Sequence, residues 1–404
     1  MRIVVATERL AEWGGTETYV LTLADHLQQL GHETWIVTAR FGRPAAWATA
    51  RGLRVLRAGE LPPQGVDLIV ANTTPLTLDL AAAEPSVRQL WVAHSTVSPL
   101  QMPPAADVAH RVVALNDRVR RWASAVAGAG PVLRLRQPID VRRFAPRGPL
   151  PERPRRMLLL GNHLSGERRS AVLQVARDRG IEVEQVGLPD HQEDAVEEAV
   201  GAADVVVGYG RAILEAMACG KAAYVLDRNG GDGWVTPESY PDLEADGFAG
   251  TGTDATITPA RFAEDLNAFA PWMGAANRDL VMTGHKAQDH AAAMLEVAAG
   301  AERPSPDGAL AQERRDLANA IRASTTIVEL VDGLNHHVQV LAERIADLER
   351  ERDALQAERD GLRTTLVERD ADAEWALRFR ESRRFRVMQA VLRPLHRLRG
   401  RTMS

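Results

Sequence analysis

A single acidic residue near the start of a predicted helix, preceded by a glycine turn, indicates nucleotide chemistry. An apolar run over residues 205–207 ends in Gly-Tyr-Gly, and a helix is predicted from about Arg211, with Glu215 in its first turns. Glycines let the backbone approach a ligand closely, and the first turn of a helix offers unpaired N–H groups. Arg211 adds a charge suited to phosphate, and Glu215 lies about one turn further on, where a carboxylate can bind a ribose diol. The segment predicts a nucleotide-diphosphate pocket on an α/β sheet.

The same segment resembles the donor-binding segment of retaining GT-B glycosyltransferases of the large family-4 type. Their usual pattern is Glu-Gly-Phe-Gly, a few residues, then Leu-Glu-Ala-Met-Ala-Cys-Gly. In that family the first acid holds hydroxyls of the donor sugar and the second holds the ribose. The first acid falls on Val207 here, so the resemblance implies only the ribose role, for Glu215. The matching residues are Gly208, Tyr209, Gly210, Leu214, Glu215, Ala216, Met217, Ala218, Cys219 and Gly220.

A pair of glycines joins the first predicted strand to the first predicted helix. Gly14 and Gly15 permit a tight turn, and Thr16 can cap the helix. The turn would face the carboxyl edge of the sheet, where open α/β folds bind ligands, although an ordinary strand-to-helix turn has the same composition. The run through residues 31–33 resembles the opening of the same family. That resemblance implies that the loop approaches the donor diphosphate or the acceptor.

His94 ends a predicted strand and is followed by Ser95 and Thr96. A lone histidine is more often structural than catalytic. The family often has a histidine at the equivalent strand end, close to the donor sugar, which implies a positioning role for His94. We do not assign it as a general base, because retaining transfer in this fold is pictured as front-side attack in which the leaving phosphate takes the acceptor proton.

Positive charge is needed where the diphosphate leaves, because negative charge builds there in the transition state. The family places an Arg and a Lys just after the first strand of the second domain. Asn162 occupies the Arg position here, and Arg168 or Arg169 must replace the Lys. Arginine can meet this demand bidentately. The alternative is a solvated pair at the start of a helix.

A glycine-rich stretch over residues 227–234 follows the strand after the Glu215 helix. Such a loop is either a backbone nest for anions or a flexible lid. Asp227 and Asp232 are candidates to hold sugar hydroxyls in place of the acid missing at Val207. The two predicted domains contain no Asp-x-Asp motif of the GT-A type. We therefore expect no metal requirement and no cofactor, the nucleotide-sugar being a substrate.

Alternating strands and helices predict two Rossmann-type, doubly wound domains that face a cleft, a GT-B-like α/β fold with a helical extension. The boundaries fall at 1–150 and 151–303. Helices are predicted over residues 16–30, 171–179, 193–202 and 276–299. Strands are predicted over residues 3–6, 34–38, 66–71, 89–94, 111–115, 132–135, 157–161, 181–186, 205–207 and 222–226.

Composition excludes several other classes of protein. The chain has 404 residues, enough for two domains and an extension, and 45% of them are hydrophobic. A net charge of −5 argues against a nucleic-acid binder. The single cysteine excludes an internal disulfide framework and a cysteine-based zinc site. Neither a signal peptide nor a stretch of membrane-spanning length is visible, so we expect a cytoplasmic protein.

A heptad pattern replaces the α/β alternation after residue 303. Ten apolar residues fall on an a/d seam of about six heptads, and Arg352 and Arg359 occupy two further a positions. The pattern predicts a coiled coil over 304–372 that mediates self-association, with the arginines favouring a parallel dimer. A lone charged helix packed on the body is the alternative.

The last segment, 373–404, is basic and amphipathic. Nine arginines but only one acid, Glu381, lie between Trp375 and Arg401, interleaved with aromatic and aliphatic residues. This composition suits a helix lying on an anionic membrane surface, which would make the protein peripheral on the inner face of the membrane. The tail could instead dock on the protein's own acidic body or on a partner.

Together these features predict a glycosyltransferase that moves a sugar, with retention, from a nucleotide-diphosphate donor to a glycan or lipid-linked acceptor. The coiled coil and tail resemble those of bacterial polysaccharide glycosyltransferases, which implies a role in cell-surface polysaccharide synthesis. The alternative from a different class is a catalytically degenerate scaffold that oligomerises and partners an active transferase. A sugar-nucleotide epimerase of the same fold is a third possibility.

Overall fold

The computed structural model describes residues 1–126, 131–162, 164, 166–187, 195–227, 230–253, 257–302 and 310–390. The chain divides into a unit Met1–Thr325, which contains both sheets, and a unit that begins at Thr326. None of the helices in the described ranges combines the length and the apolar character that crossing a membrane requires.

The first sheet has seven parallel strands in the order β3-β2-β1-β4-β5-β6-β7. Its strands are β1 (Arg2–Leu10), β2 (Glu33–Phe41), β3 (Arg54–Arg57), β4 (Leu68–Ala71), β5 (Arg88–Ala93), β6 (Arg111–Ala114) and β7 (Val132–Arg134). The helices between them are α1 (Gly15–Gln29), α2 (Arg43–Ala50), α3 (Thr74–Ala83) and α4 (Asp117–Ala125), with a short 3-10 helix at Pro99–Gln101.

The second sheet has five strands in the order β12-β11-β10-β8-β9. They are β8 (Arg156–Leu160), β9 (Glu182–Val186), β10 (Val205–Gly208), β11 (Ala222–Asp227) and β12 (Gly230–Trp234), with helices α5 (Gly166–Asp178), α6 (Val196–Ala202), α7 (Arg211–Ala218), α8 (Tyr240–Asp246) and α9 (Pro259–Asn267). Only β12 runs antiparallel among the described strands, at the edge beside β11. The prediction of a loop over residues 230–234 was wrong, because this stretch pairs with β11.

Both sheets are buried on both faces, as the continuous apolar runs of their strands require. Ile3 and Val70 pack on one side of the first sheet, whereas Val4 and Ile69 pack on the other. The second sheet is covered in the same way by two separate clusters. The predicted α/β class, with two parallel-dominated sheets and a helical C-terminal region, is confirmed.

The predicted single helix over residues 276–299 is two helices, α10 (Trp272–Gly284) and α11 (Ala287–Ala299). The chain breaks between them because its backbone bonds to the crossover from the first sheet: Ile139 N donates to His285 O, and Ala287 N donates to Ile139 O. α10 packs with the second sheet, whereas Met294 and its neighbours on α11 join the core of the first sheet. The second predicted domain therefore ends before residue 303.

The last described helix is α12 (Ala311–Glu381). Its first residues pack within the unit Met1–Thr325: Ala318 is fully buried against Leu78, Ala81 and Val108. Arg322 donates to Glu8 and Asp79, at 2.7 and 2.6 Å. The predicted extension from 304 therefore includes a docked part, and the helix is largely exposed only from about residue 326. Residues 303–309 and 391–404 lie outside the described residues, so the basic tail is described only to residue 390.

Candidate functional site

A cavity of about 590 Å³ lies where strands of the two sheets end. It is lined by residues that follow β1, β5 and β6 of the first sheet and β8, β9 and β10 of the second. Ligands of open α/β folds bind outside the carboxyl ends of parallel strands. Seven of the predicted site residues line this cavity: Gly14, Gly15, Thr16, His94, Gly210, Arg211 and Glu215.

The paired-glycine loop presents the beginning of α1 to the cavity. Gly14 is the residue that precedes the helix, and Thr16 lies inside its first turn, so the prediction that Thr16 caps the helix was wrong. The Thr16 hydroxyl instead accepts a hydrogen bond from Gln101 Nε2 at 3.4 Å. A Cβ at Gly14 would lie 2.6 Å from Glu17 Oε2. Burial raises the pKa of Glu17 to about 7, with its own backbone N–H and Arg9 opposing the shift.

His94 follows β5 and lies against the ring of Tyr19, with centroids 4.5 Å apart in an edge-to-face arrangement. Burial lowers the pKa of His94 to about 3, and the positive charge of Arg211 and the neighbouring His290 add to the shift. The imidazole is therefore neutral near pH 7. Within the described part of the chain, no group lies within hydrogen-bond distance of His94 Nε2, although this atom is buried. His94 lines the cavity, and a neutral imidazole has one donor and one acceptor nitrogen with which to bind a ligand hydroxyl.

Arg211 and Glu215 form a buried pair on the first turns of α7. Arg211 Nε donates to Glu215 Oε1 at 2.8 Å, and the two side chains are only 5% and 8% exposed. Arg211 also donates to Pro138 O at 2.7 Å and to Thr22 Oγ1 at 3.3 Å. Burial raises the pKa of Glu215, and the guanidinium of Arg211 opposes this shift. Glu215 lines the cleft, as predicted, but it is already oriented by Arg211.

Gly208 does not line the cavity and has a packing role instead. A Cβ at Gly208 would lie 2.4 Å from the Leu160 carbonyl oxygen, in the neighbouring strand β8. Gly187 is constrained similarly, since its Cβ would lie 2.4 Å from Gly161 O. Gly210, which does line the cavity, has φ +58°, and its N–H donates to Phe248 O at 2.8 Å. The glycines thus let the strand ends lie close together beneath the site.

The two arginines predicted to bind the diphosphate do not line the cavity. Arg168 and Arg169 lie on α5 outside the residues that line the cavity, and Arg169 Nε donates to Gln185 Oε1. Among the described residues three arginines do line it, of which only Arg211 was identified from the sequence. The other two are Arg118 and Arg143, and no local pattern marks either of them.

These two arginines are held by acidic partners. Arg118 Nε lies 3.2 Å from Asp246 Oδ1, and its NH1 group donates to Thr96 Oγ1 at 3.3 Å. Arg143 binds Glu197 through Nε and NH2, at 2.9 and 2.7 Å. Two contacts to each guanidinium group, both of them on Glu197 Oε2 in the case of Arg143, hold these side chains in place. The cleft therefore carries guanidinium groups that are already oriented, each of them paired with a carboxylate.

Val207 and Asp232 do not supply a sugar-binding acid. Val207 is fully buried in β10 and packs in the core beneath the second sheet. Asp232 lies on β12, away from the cavity, and accepts hydrogen bonds from the backbone N–H groups of Gly252 and Thr253 at 3.2 and 3.0 Å. Asp232 is thus not among the described residues that line the cavity, and its carboxylate holds a loop. The side chain of Asp227 lies outside the described residues.

Two histidines that sequence reasoning missed hold the crossover between the sheets. His290 Nδ1 lies 3.0 Å from Arg136 O, and His285 Nδ1 lies 2.7 Å from Gln137 O. Their Nε2 atoms pair with the hydroxyls of Tyr19 and Tyr240. Burial lowers the pKa of both histidines to about 4. With Pro138 O bound by Arg211, three consecutive carbonyl groups beside the cavity are fixed by side chains.

One group of potential metal ligands occurs among the described residues: Asp25, His26 and Asp140, with ligand atoms within 4.8 Å of one another. Arg142 lies beside it, with NH2 3.4 Å from His26 Nε2 and Nε 3.6 Å from Asp140 Oδ1. A guanidinium in this position already supplies the positive charge that these groups would offer to a cation. The group also lies outside the residues that line the cavity.

No family model and no curated protein matches this chain. A solved structure of Anabaena HepE (Alr3699), in complex with UDP and glucose, is similar with a TM-score of 0.52 at 13% identity, covering 74% of this chain and 100% of that one. An α-glucosyltransferase in complex with UDP and a 13-mer DNA gives 0.48 at 11% identity, with 74% and 99% covered. MurG of Acinetobacter baumannii gives 0.42 at 14% identity, with 73% and 99% covered. Two α/β halves around a cleft, together with the likeness to HepE, show that this chain has the GT-B glycosyltransferase fold.

Proposed function

We propose that the protein is a retaining glycosyltransferase that moves a sugar from a nucleoside-diphosphate donor to a glycan or lipid-linked acceptor. The observation that carries the proposal is the cavity at the strand ends of both sheets, where the buried Arg211–Glu215 pair lies beside a neutral His94. HepE, which has the highest TM-score of the three similar structures described above, was crystallised with UDP and glucose. A nucleotide-sugar is the ligand class whose parts match these groups.

Each part of such a donor has a counterpart in the cavity. The ribose diol suits the carboxylate of Glu215, which Arg211 keeps in place. The diphosphate suits Arg118, Arg143 and the first turn of α7, whose N-terminal dipole favours anions. Fixed positive charge stabilises the transition state most when it lies beside the leaving diphosphate, because negative charge develops there during transfer.

Transfer with retention requires no protein base in this scheme. The acceptor oxygen forms a bond to the anomeric carbon while the bond from that carbon to the diphosphate oxygen breaks. The electron pair of the broken bond leaves with the diphosphate, which takes the acceptor proton. His94 is neutral and would position a sugar hydroxyl through a ring nitrogen. Retention is tested by the anomeric configuration of the first-formed product, read by NMR, and an inverted product would refute it.

Sugar recognition must differ from that implied by the family pattern, because Val207 lies in the core. We propose that side chains following β5 and β6 of the first sheet bind the sugar instead, since Thr96, Asn116 and Arg118 all line the cavity. Asn116 Oδ1 caps α4 through Val119 N at 2.8 Å, and its Nδ2 lies beside Gly247, which also lines the cavity. Asn116→Ala should therefore raise the KM for the donor sugar while nucleotide binding persists.

Donor binding is tested by a thermal-shift screen against UDP-, GDP-, dTDP- and ADP-sugars, since a ligand that binds only the folded state raises the Tm. We expect one nucleotide class to stabilise the protein, and Glu215→Gln to remove most of that shift. Asp232→Asn is the matched control, because it neutralises a carboxylate outside the cavity. Equal shifts for wild type and Glu215→Gln would refute the ribose role.

A scaffold without activity is the second candidate, and the burial of Val207 favours it. The two functions differ in turnover: a scaffold would bind partners and would neither transfer nor hydrolyse donor. Product formation from the stabilising donor, with an acceptor extract from the source cell envelope, supports the transferase. Donor binding without any turnover would support the scaffold.

We also propose self-association through α12 and contact of the basic tail with an anionic membrane, in keeping with a role in cell-surface polysaccharide synthesis. Trp375, Leu377 and Val387 are 66%, 60% and 62% exposed beside five arginines between residues 375 and 390. Such segments bind anionic lipid and release it as salt rises. Sedimentation with vesicles containing anionic lipid, compared with neutral vesicles, tests the membrane contact. Equal binding to both would refute it.

A further inference from the structure

We propose that α12 pairs with α12 of a second copy of this chain as a parallel, in-register, two-stranded coiled coil over residues 327–366. This inference rests on the proposed self-association and on the parallel dimer that the sequence predicts, and it adds the extent, the register and the residue layers of the seam. The exposed apolar face of the helix is then covered by the same face of α12 from the second copy.

The seam that would be covered is strongly exposed along the helix. Ten of its twelve positions are apolar, and they are between 47% and 66% exposed. In a heptad with positions a to g, the d residues are Ile327, Leu334, Leu341, Leu348, Leu355 and Leu362; the a residues are Val331, Val338, Ile345, Arg352, Arg359 and Leu366. A continuous apolar stripe of this width on a single helix is the seam of a coiled coil.

The residue types on the seam select two parallel strands. β-Branched residues occupy the first three a positions, and leucine occupies five of the six d positions. In parallel coiled coils this combination favours dimers over trimers and tetramers. Arg352 and Arg359 are 58% and 65% exposed on their side chains, and a two-stranded seam leaves both guanidinium groups a route to water.

The charges that flank the seam select the register. In a parallel dimer a g residue faces the e residue five positions later on the partner. In register, Arg344 then faces Glu349, and Glu358 faces Arg363, both favourable pairs. A shift of seven residues places Glu351 opposite Glu349 on one side of the dimer and Glu358 opposite Asp370 on the other. Only the unshifted arrangement has two attractive pairs and no repulsive one.

The arginine layers lead to the same register. Without a shift, Arg352 faces Arg352 and Arg359 faces Arg359, each beside a glutamate at the preceding position. A seven-residue shift would place one arginine against Ile345 and another against Leu366. A lone charge against an apolar partner is costly to bury, whereas a paired layer keeps the apolar layers intact.

Direction and strand number are tested on the full-length chain. Light scattering coupled to gel filtration should give twice the chain mass. Val338→Cys should form a disulfide-linked dimer by itself in a glutathione redox buffer, because equivalent a residues meet in a parallel dimer; the native Cys219 is buried. A monomer mass would overturn self-association altogether, and a trimer or tetramer would overturn the strand number. Crosslinking only when Val338→Cys is mixed with Leu355→Cys would overturn the parallel direction.

Register is tested by charge reversal. Arg344→Glu should weaken dimerisation by about tenfold, because two attractive pairs per dimer become repulsive. Arg344→Glu combined with Glu349→Arg should restore it, although the two positions are not i,i+4 neighbours within one helix. Arg350→Glu makes the same charge change on the outer face and serves as the control. Failure of the double variant to recover dimerisation would overturn the register. The Tm shift that a donor causes in each variant reports separately on the proposed enzyme.

Discussion

His290→Asn should make the protein measurably less sensitive to acid. The histidine is buried, its pKa is lowered to about 4, and it binds Arg136 O and the Tyr19 hydroxyl. In the unfolded chain its pKa is about 6.5. A histidine that is harder to protonate in the folded state contributes stability above pH 6.5, and this stability is lost as the pH falls towards 4.

The size of the effect follows from these two values. Between pH 7.5 and 5.5 the unfolded chain protonates this histidine while the folded protein does not, so wild type should lose about 1.4 kcal/mol of unfolding free energy through His290 alone. Glu17, whose pKa is raised to about 7, acts in the opposite direction, but it is present in wild type and variant alike. The difference between the two proteins therefore isolates the histidine.

The measurement is urea unfolding of both proteins at pH 7.5 and pH 5.5, with the free energy extrapolated to water. The variant should be less stable at pH 7.5, since it loses one of the buried hydrogen bonds, yet it should lose about 1.4 kcal/mol less on acidification. His337→Asn, at an exposed position of α12, is the control. An unchanged pH dependence in His290→Asn would refute the placement of a neutral histidine against the crossover.

Three further predictions concern the site and its supports. Glu215→Ala should lower the unfolding free energy, measured with urea, by about 3 kcal/mol, because it leaves the buried Arg211 charge without its carboxylate. Glu184→Ala, on the more exposed β9, is the control and should lower it far less. Equal losses in the two variants would contradict the pairing of Arg211 with Glu215. Val207→Glu, which restores the family's acid, should destabilise the protein by about 3 kcal/mol or more because the side chain enters a core, and a stable variant with raised turnover would show that this position faces the cleft. Gly208→Ala should lower the unfolding free energy by about 1–3 kcal/mol, because the added Cβ would meet Leu160 O. Gly180→Ala is the comparison: φ is +65° there and nothing lies within 4 Å, so this variant reports backbone strain without a steric clash.

Strand positions could be predicted because each buried strand is an apolar run of its own. The run 205–207, the turn after it and the helix from Arg211 were located correctly, since glycine and periodicity mark them locally. β12 was missed because three of its five residues are glycine, which reads as a loop until the pairing with β11 is seen.

The site was predicted only where one segment supplies both the turn and the side chain. Glu215, Arg211 and the Gly14–Gly15 loop meet this condition, and all of them line the cavity. Arg118 and Arg143 reach it through long-range packing, held by Asp246 and Glu197 from distant helices. Such pairs leave no periodic trace in a single sequence, so charge in the cleft was assigned to the nearest arginines along the chain.

The chain passes between its two sheets twice, and the passages lie side by side. Residues 136–139 lead out, residues 285–287 lead back, and Ile139 forms a bridge with Lys286. Two tethers joined in this way act as a hinge with a defined axis, whereas a single tether would permit twisting and sliding. A change in the width of the cleft would then be a rotation about this axis. Arg211 and the two buried histidines bind the carbonyl groups of one of these two segments, so the proposed donor site and the hinge share Arg211.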